Sequence, residues 1–159
     1  MQKLTVIAVG GDKEKYFLEA AEEYRKRLSR FAQTELILLK DEPIPDHPSE
    51  KEIAGVLKKE GDRIRAALPD GFLKIALCIE GKQLTSPELA AFLDDAACRF
   101  PGIAFIIGGS LGLEEDVKKL CSVRLSLSRL TLPHRLARVV LMEALYRAET
   151  IRNGVRYHK

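Results

Sequence analysis

The sequence has few of the residues that cross-link a chain or anchor it in a membrane. Its 159 residues include three cysteines and no tryptophan, and aromatic residues make up 6%. Cys78, Cys98 and Cys121 are odd in number and have no C-x-x-C spacing, which argues against a disulfide framework or a zinc site. No run reaches the ~18 uncharged apolar residues of a membrane span, and the N-terminal apolar run is too short for a signal sequence. We therefore expect a cytoplasmic protein with no membrane contact and no metal.

The composition is that of an ordinary globule. Hydrophobic residues make up 46% and charged residues 31%, and the net charge is +3. At ~100–200 residues per domain, the length predicts a single domain over residues 1–159.

Short apolar, β-branched runs alternate with segments of helical periodicity. The runs predict strands at residues 4–9, 34–39, 72–79 and 103–107, and helices follow at 13–30, 49–68, 86–99, 114–121 and 135–152. Ser49 and Glu52 have capping-box spacing, and Ser86 is the predicted cap of the next helix. Nearly continuous apolar strands are typical of strands covered on both faces. The pattern therefore predicts an α/β fold with a mostly parallel sheet flanked by helices.

Two glycine pairs follow predicted strands. Gly10 and Gly11 begin an incomplete dinucleotide fingerprint, so a plain strand-to-helix turn is the favoured interpretation. Residues 108–112, Gly-Gly-Ser-Leu-Gly, follow the fourth strand, where open α/β sheets hold ligands. This segment is predicted to be either a turn or a binding site. Three acidic residues at 114–116 argue against a phosphate ligand there.

The C-terminal part of the chain is basic and apolar at once. Residues 124–159 carry a net charge of +6, which leaves −3 for the rest and points to a polyanionic partner. The last predicted helix is apolar around most of its circumference, so it must be buried on more than one side. We therefore predict a homodimer. The apolar residues of this helix are Leu136, Val139, Val140, Leu141, Met142, Ala144, Leu145, Ala148 and Ile151.

The segment before that helix has two interpretations. Residues 125–132 alternate as an amphipathic strand would, and the pattern alone favours that interpretation over a loop whose backbone lines an adenine-sized slot. His134 either orients the helix start or binds a ligand. His158, beside Tyr157 in the terminal tail, belongs either to a frayed end or to a contact with a partner.

Three stretches taken together resemble a known family. They are Phe-Ile-Ile-Gly-Gly-Ser-Leu-Gly at 105–112, Leu-Ser-Leu-Ser-Arg-Leu-Thr-Leu-Pro-His at 125–134, and 138–151 with the terminal Tyr-His-Lys. The sequence resembles the RlmH family, the small SPOUT-class methyltransferases of ribosomal RNA, over its whole length. It departs from the family pattern at Val155 and Arg156, where many relatives carry His-Pro.

The resemblance implies a SPOUT-type fold with a C-terminal trefoil knot, an obligate homodimer, and S-adenosylmethionine bound in the knot. It implies methylation of N3 of a pseudouridine in large-subunit ribosomal RNA, with the assembled ribosome as substrate. Residues 125–132 then become a loop that begins in a strand.

The resemblance also implies roles for individual residues. The expected cofactor-binding residues are Leu77, Gly81, Gly108, Gly109, Leu127, Ser128, Arg129, Leu130, Thr131 and Leu132. The expected catalytic residues are His158 and Tyr157 from the partner's tail, with Arg138 and Arg147 reaching from the last helix. The expected RNA phosphate contacts are Arg129, Arg135, Arg152, Arg156 and Lys159.

Three other functions are compatible with the sequence. One is a different SPOUT methyltransferase, acting on a ribose 2′-hydroxyl or on tRNA. Another is a ribosome-binding factor without catalysis, although the glycine-rich segment argues against it. The third is a nucleotide-dependent oxidoreductase that uses Gly10 and Gly11.

Overall fold

A computed structural model describes residues 1–11 and 13–159, in which five parallel strands form one sheet of order β2-β1-β4-β3-β5. The strands are β1 Lys3–Val9, β2 Gln33–Leu39, β3 Leu73–Gln83, β4 Gly102–Ile107 and β5 Val123–Ser126. The helices are α1 Lys15–Leu28, α2 Glu50–Ala67, α3 Ser86–Arg99, α4 Glu115–Leu120 and α5 His134–Arg152. The predicted α/β fold with a parallel sheet is confirmed.

Helices cover the sheet on both faces. The larger apolar cluster joins α1, α3 and α5 to one face, and a smaller cluster joins α2 and α4 to the other. The central strand β4 is buried at all six positions, as its unbroken apolar sequence predicts. Within the described residues, no helix is both long and apolar enough to cross a membrane.

Local signals placed most element boundaries correctly, with one correction. Ser49 and Glu52 form the predicted capping box at the start of α2. The cap of α3 is Thr85 rather than Ser86: its side chain accepts a hydrogen bond from the backbone N–H of Glu88, and the Glu88 side chain accepts one from the N–H of Thr85. Ser86 lies inside the helix, because the capping box requires its Glu three residues after the cap.

The third strand is longer than predicted, and it pairs with the edge strand β5. It continues to Gln83 through exposed polar residues, which gave no apolar signal. Leu125 of β5 pairs in register with Leu77 and again with Lys82, so the chain between them bulges around β5. At Gly81 a Cβ would lie 2.6 Å from the Leu125 backbone. Only glycine allows the two backbones to approach this closely.

The alternating segment divides into two structures. Its first residues belong to β5, which ends at Ser126, and residues 127–133 form an irregular loop. The strand interpretation therefore holds only for the start of the segment, and the loop that begins in a strand is confirmed. The trefoil knot stays a prediction.

Arg138 of α5 lies in the interior rather than reaching outward. Its side chain is fully buried and donates hydrogen bonds to the backbone carbonyls of Gly10 at 2.9 Å and Gly11 at 3.1 Å. Gly11 has a φ of 99°, and a Cβ there would lie 1.7 Å from the guanidinium. We expected Arg138 to reach a substrate from the last helix. Its buried position corrects that expectation. The same contact fills the Gly10–Gly11 turn, where a dinucleotide phosphate would have to bind.

The apolar surface of α5 is used mainly within its own chain. Leu141, Met142, Leu145 and Ala148 are fully buried against the core. Leu136 and Val140, one helical turn apart on a different side, are half-buried. Any contact of α5 with a second copy would therefore use that side. The homodimer itself stays a prediction.

We predict that Arg138→Met lowers the free energy of unfolding by about 2–6 kcal/mol, because two buried carbonyls lose their donor at ~1–3 kcal/mol each. Urea denaturation followed by circular dichroism measures this change. The matched control is Arg99→Met, which removes an exposed pair with Asp95 one turn away and should cost about 0.5 kcal/mol or less. Equal losses in the two variants would contradict the structural role of Arg138.

Candidate active site

A cleft of about 680 Å³ opens at the carboxyl-terminal edge of the sheet. It lies where β3, β4 and β5 end, the position at which open α/β sheets bind ligands. Residues 77–80 form one wall, 107–113 the floor, and 126–128 with 130–134 the opposite wall. Ala137 on α5 and Lys118 on α4 complete the lining.

Eight of the ten expected cofactor-binding residues line this cleft, namely Leu77, Gly108, Gly109, Leu127, Ser128, Leu130, Thr131 and Leu132. Gly81 instead packs against the β5 backbone, and the exposed Arg129 lies on the loop outside the lining. The expected cofactor-binding residues left out thirteen other residues of the lining, although residues 108–112 and His134 were weighed as possible ligand contacts. The thirteen are Cys78, Ile79, Glu80, Ile107, Ser110, Leu111, Gly112, Leu113, Lys118, Ser126, Pro133, His134 and Ala137. Most of them lie beside expected residues along the chain, whereas Lys118 and Ala137, inside helices, gave no sequence signal.

The glycine-rich floor is a turn that also lines the cleft, and its role as a binding site stays a prediction. The N–H of Gly112 donates to the carbonyl of Gly109 at 3.0 Å, and Gly112 has a φ of 83°. A Cβ on Gly108 would lie 2.3 Å from the Gly112 carbonyl oxygen. The turn folds back on itself and leaves backbone, without side chains, at the cleft surface.

The opposite wall is a loop braced by its own serines. The Ser126 hydroxyl donates to the carbonyl of Ser128 at 3.0 Å, and the N–H of Leu130 donates to the Ser128 hydroxyl at 3.0 Å. Leu127 packs against the core, whereas Leu130 at the cleft mouth is 75% exposed. The wall therefore combines apolar side chains with a shaped backbone.

Charged groups at the cleft are paired. Lys118 Nζ lies 2.6 Å from Glu80 Oε1, and this hydrogen bond holds the pKa of Glu80 below its ordinary value. Burial raises the pKa of the Cys78 thiol, with the neighbouring Glu80 adding to the shift. His134 has a lowered pKa, first because of burial and then because of Arg135 and Arg138. The lining thus presents no cluster of free cations of the kind that binds phosphate.

The terminal tail folds back onto α5 and is not frayed. Glu143 Oε1 accepts hydrogen bonds from Arg147 Nη2 at 2.6 Å and Nε at 2.9 Å, and from the Tyr157 hydroxyl at 3.2 Å. The Arg147 guanidinium lies 4.7 Å from the Tyr157 ring centre, and its Nη1 lies 3.3 Å from His158 Nδ1. We call these four residues the tail cluster. It contains three of the four expected catalytic residues, together with Glu143, which was not predicted.

The tail cluster is remote from the cleft of the same chain. His134 and Arg147 lie thirteen residues apart on α5, which is about 20 Å along a helix at 1.5 Å per residue. No side chain spans that distance. In one chain, the cleft and the tail cluster therefore act on different regions of space.

The five expected RNA contacts fall into two groups. Arg135 is paired with Glu14, and Arg152 with Asp94 and Glu149, so both are already occupied. Arg129, Arg156 and Lys159 are exposed, and none of the ion pairs among the described residues includes them. Within the same part of the chain, no group of three or more His, Cys, Asp or Glu residues could hold a metal ion.

Comparisons with known proteins agree with this architecture. Two solved structures share the fold, each aligned over 99% of this chain. A tRNA methyltransferase from Aquifex aeolicus has a TM-score of 0.58 at 14% identity over 73% of its length. A probable methylase family protein from Haemophilus influenzae has a TM-score of 0.51 at 17% identity over 70% of its length.

Sequence relatives cover the whole chain. It is 48% identical over 158 residues, 99% of both chains, to the ribosomal RNA large subunit methyltransferase H of Streptococcus gordonii. The protein of the same description from Streptococcus pneumoniae is 47% identical over the same share. A family model described as a predicted SPOUT methyltransferase matches residues 2–158. With a match of this extent, the chain belongs to the SPOUT methyltransferase family.

Proposed function

We propose that this protein is a homodimeric enzyme that methylates N3 of a pseudouridine in large-subunit ribosomal RNA, using S-adenosylmethionine and acting on the assembled ribosome. Curated relatives at 47–48% identity are described as methyltransferases of that RNA. The observation that carries the proposal is the cleft, because eight of the ten residues expected to bind the cofactor line one cavity.

The cleft suits S-adenosylmethionine in size and chemistry. Its volume of about 680 Å³ lies within the ~300–1,000 Å³ of small-molecule sites. Leu77, Leu127 and Leu132 offer apolar surface for a purine, and the glycine floor offers close backbone approach. A sulfonium cation needs no phosphate cradle and tolerates acidic neighbours. When bound, the cofactor supplies an electrophilic methyl group on positively charged sulfur.

The tail cluster supplies what the accepting base needs. N3 of a uracil-type base carries a weakly acidic proton, which must leave as the N–CH₃ bond forms. The His158 ring can accept this proton, and the Arg147 guanidinium can stabilise the charge that develops on the base. Tyr157 and Glu143 hold Arg147 from two sides, which fixes its orientation. We assign Arg138 a positioning role, because it is buried beneath the Gly10–Gly11 turn.

The distance of about 20 Å along α5 favours a site built from two chains. A second copy can bring its tail cluster to the cleft of the first, with the half-buried Leu136 and Val140 lying along the intervening helix surface. The exposed Arg129, Arg156 and Lys159 then lie near the two halves of the site, where they can bind phosphates. Arg135 and Arg152 can contribute only by exchanging their present carboxylate partners.

We predict that Thr131→Trp lowers the affinity for S-adenosylmethionine at least about tenfold, equivalent to ~1.4 kcal/mol, because an indole would fill the cleft mouth. Thr131 is exposed and lines the cleft, so the fold should persist. The control is Lys58→Trp on α2, whose side chain is 69% exposed and away from the cleft. Calorimetry that finds unchanged affinity in folded Thr131→Trp protein would contradict the cofactor assignment.

We predict that deleting residues 157–159 lowers methyl transfer to unmodified ribosomes at least ~10²-fold, the low end of what a positioned acid–base group contributes. Cofactor affinity should change little, because the cleft contains no tail residue. Mass spectrometry of digested ribosomal RNA measures both the rate and the product. A methylated base other than N3-methylpseudouridine would overturn the proposed chemistry.

A mixed dimer tests whether the tail acts on the partner's cleft. One subunit carries Thr131→Trp and the other lacks residues 157–159, and two different affinity tags isolate the heterodimer. If tails act across the dimer, the open cleft receives the intact tail. At a cofactor concentration far below the dissociation constant of the Thr131→Trp cleft, about half of the wild-type activity then returns from two parents of low activity. Purified heterodimers without activity would mean that the tail acts within its own subunit.

A further inference from the structure

A buried carboxyl group lies directly behind the glycine floor of the cleft. Glu60 of α2 is 4% exposed. A Cβ built on Gly109 would lie 3.2 Å from Glu60 Oε1 and 3.3 Å from Oε2. Gly109 lines the cleft. A ligand atom resting on Gly109 is thus separated from the carboxylate by the thickness of one glycine residue.

No ion pair within the described residues neutralises this carboxylate. Its Oε2 accepts a hydrogen bond from the backbone N–H of Glu42 at 3.0 Å. Arg63, the nearby cation, is paired with the Glu42 carboxylate and also donates to the carbonyl of Lys40. Asp41 adds a second negative charge nearby, and burial followed by the Asp41 charge raises the pKa of Glu60. When Glu60 is ionised, its carboxylate and that of Asp41 make the local charge behind the floor negative.

A carboxylate is costly to bury without a cation, so its position beside a binding cleft calls for a cationic occupant. We infer that Glu60 is a specificity-determining residue that makes the cleft bind a cationic ligand, such as the sulfonium donor, more tightly than its neutral-sulfur product. This inference rests on the proposed function. The donor S-adenosylmethionine and the product S-adenosylhomocysteine differ in one methyl group and one positive charge.

The selectivity has a direct use in turnover. Loss of the methyl group removes the ligand's sulfonium charge, while the charge of Glu60 is unchanged. The product is then held less tightly than the donor, which favours its release and limits product inhibition. Glu60 does this through the electric field across Gly109, without touching the ligand.

Equilibrium calorimetry at pH 8 tests the inference with the full-length protein and both ligands. Wild type should bind S-adenosylmethionine more tightly than S-adenosylhomocysteine. In Glu60→Gln, donor affinity should fall about 3- to 10-fold while product affinity changes less than about twofold, the scale of a unit charge acting across a protein layer of intermediate dielectric. Glu60→Asp should keep most of the preference, because it keeps the charge.

The matched control is Glu50→Gln, which makes the same charge change at an exposed position ten residues earlier on α2. Its donor-to-product ratio should equal that of wild type. An unchanged ratio in folded Glu60→Gln that still binds the donor overturns this inference and leaves the proposed function intact. Wild-type protein that binds neither ligand overturns the proposed function itself, and this inference with it.

If Glu60→Gln does not fold, a measurement on the wild-type protein still tests the inference. A bound cation favours ionised Glu60, so donor binding to wild type must release more protons than product binding in the pH range where Glu60 titrates. Calorimetry in buffers of different ionisation enthalpy counts these protons. Asp41, Glu42 and Arg63 face the same carboxyl group, and all three are present in both ligand titrations. Equal proton release for the two ligands would overturn the inference.

Discussion

The cleft depends on one close passage of two backbones. After Leu77 the chain leaves the β3 ladder, bulges around β5 and pairs with it again at Lys82, and at Gly81 a Cβ would lie 2.6 Å from the Leu125 backbone. This passage places residues 77–80 and the loop after β5 on opposite sides of one cavity. Gly81 thus acts on the site without lining it. A larger residue there would separate the two walls.

Helix α5 connects the cleft to the tail cluster. Its first residues line the cleft, its buried Arg138 fixes the turn after β1, and its last turns hold the tail cluster. Because α5 packs on α1 and α3, its length fixes the distance between the cleft and the tail cluster. A rigid separation of about 20 Å is a liability for a one-chain active site but is compatible with a site shared by two copies.

The sequence predicted those features that local physics controls. Apolar runs located the strands, and the Ser49–Glu52 spacing located the start of α2. The extension of β3 escaped prediction because its residues are polar and exposed at the sheet edge. The burial of Arg138 also escaped, since an arginine on a helix looks the same in sequence whether it faces solvent or a glycine turn more than a hundred residues away. The residues that line the cleft needed the resemblance as well as the pattern, because strand alternation alone favoured the wrong interpretation of residues 127–132.

The basic C-terminal segment has fewer cations available to a partner in the structure than its sequence suggests. Of its eight cations, Arg124, Arg135, Arg138, Arg147 and Arg152 are engaged with carboxylates or backbone carbonyls of their own chain. Most of the positive charge of this segment is therefore paired within the chain. The remaining exposed cations, Arg129, Arg156 and Lys159, lie on the cleft loop and the tail. Few exposed cations remain for phosphate contacts in one chain, and non-specific RNA affinity scales with the number of such contacts. Charge on one chain therefore contributes little to RNA affinity, which is a further reason to propose a site shared by two copies.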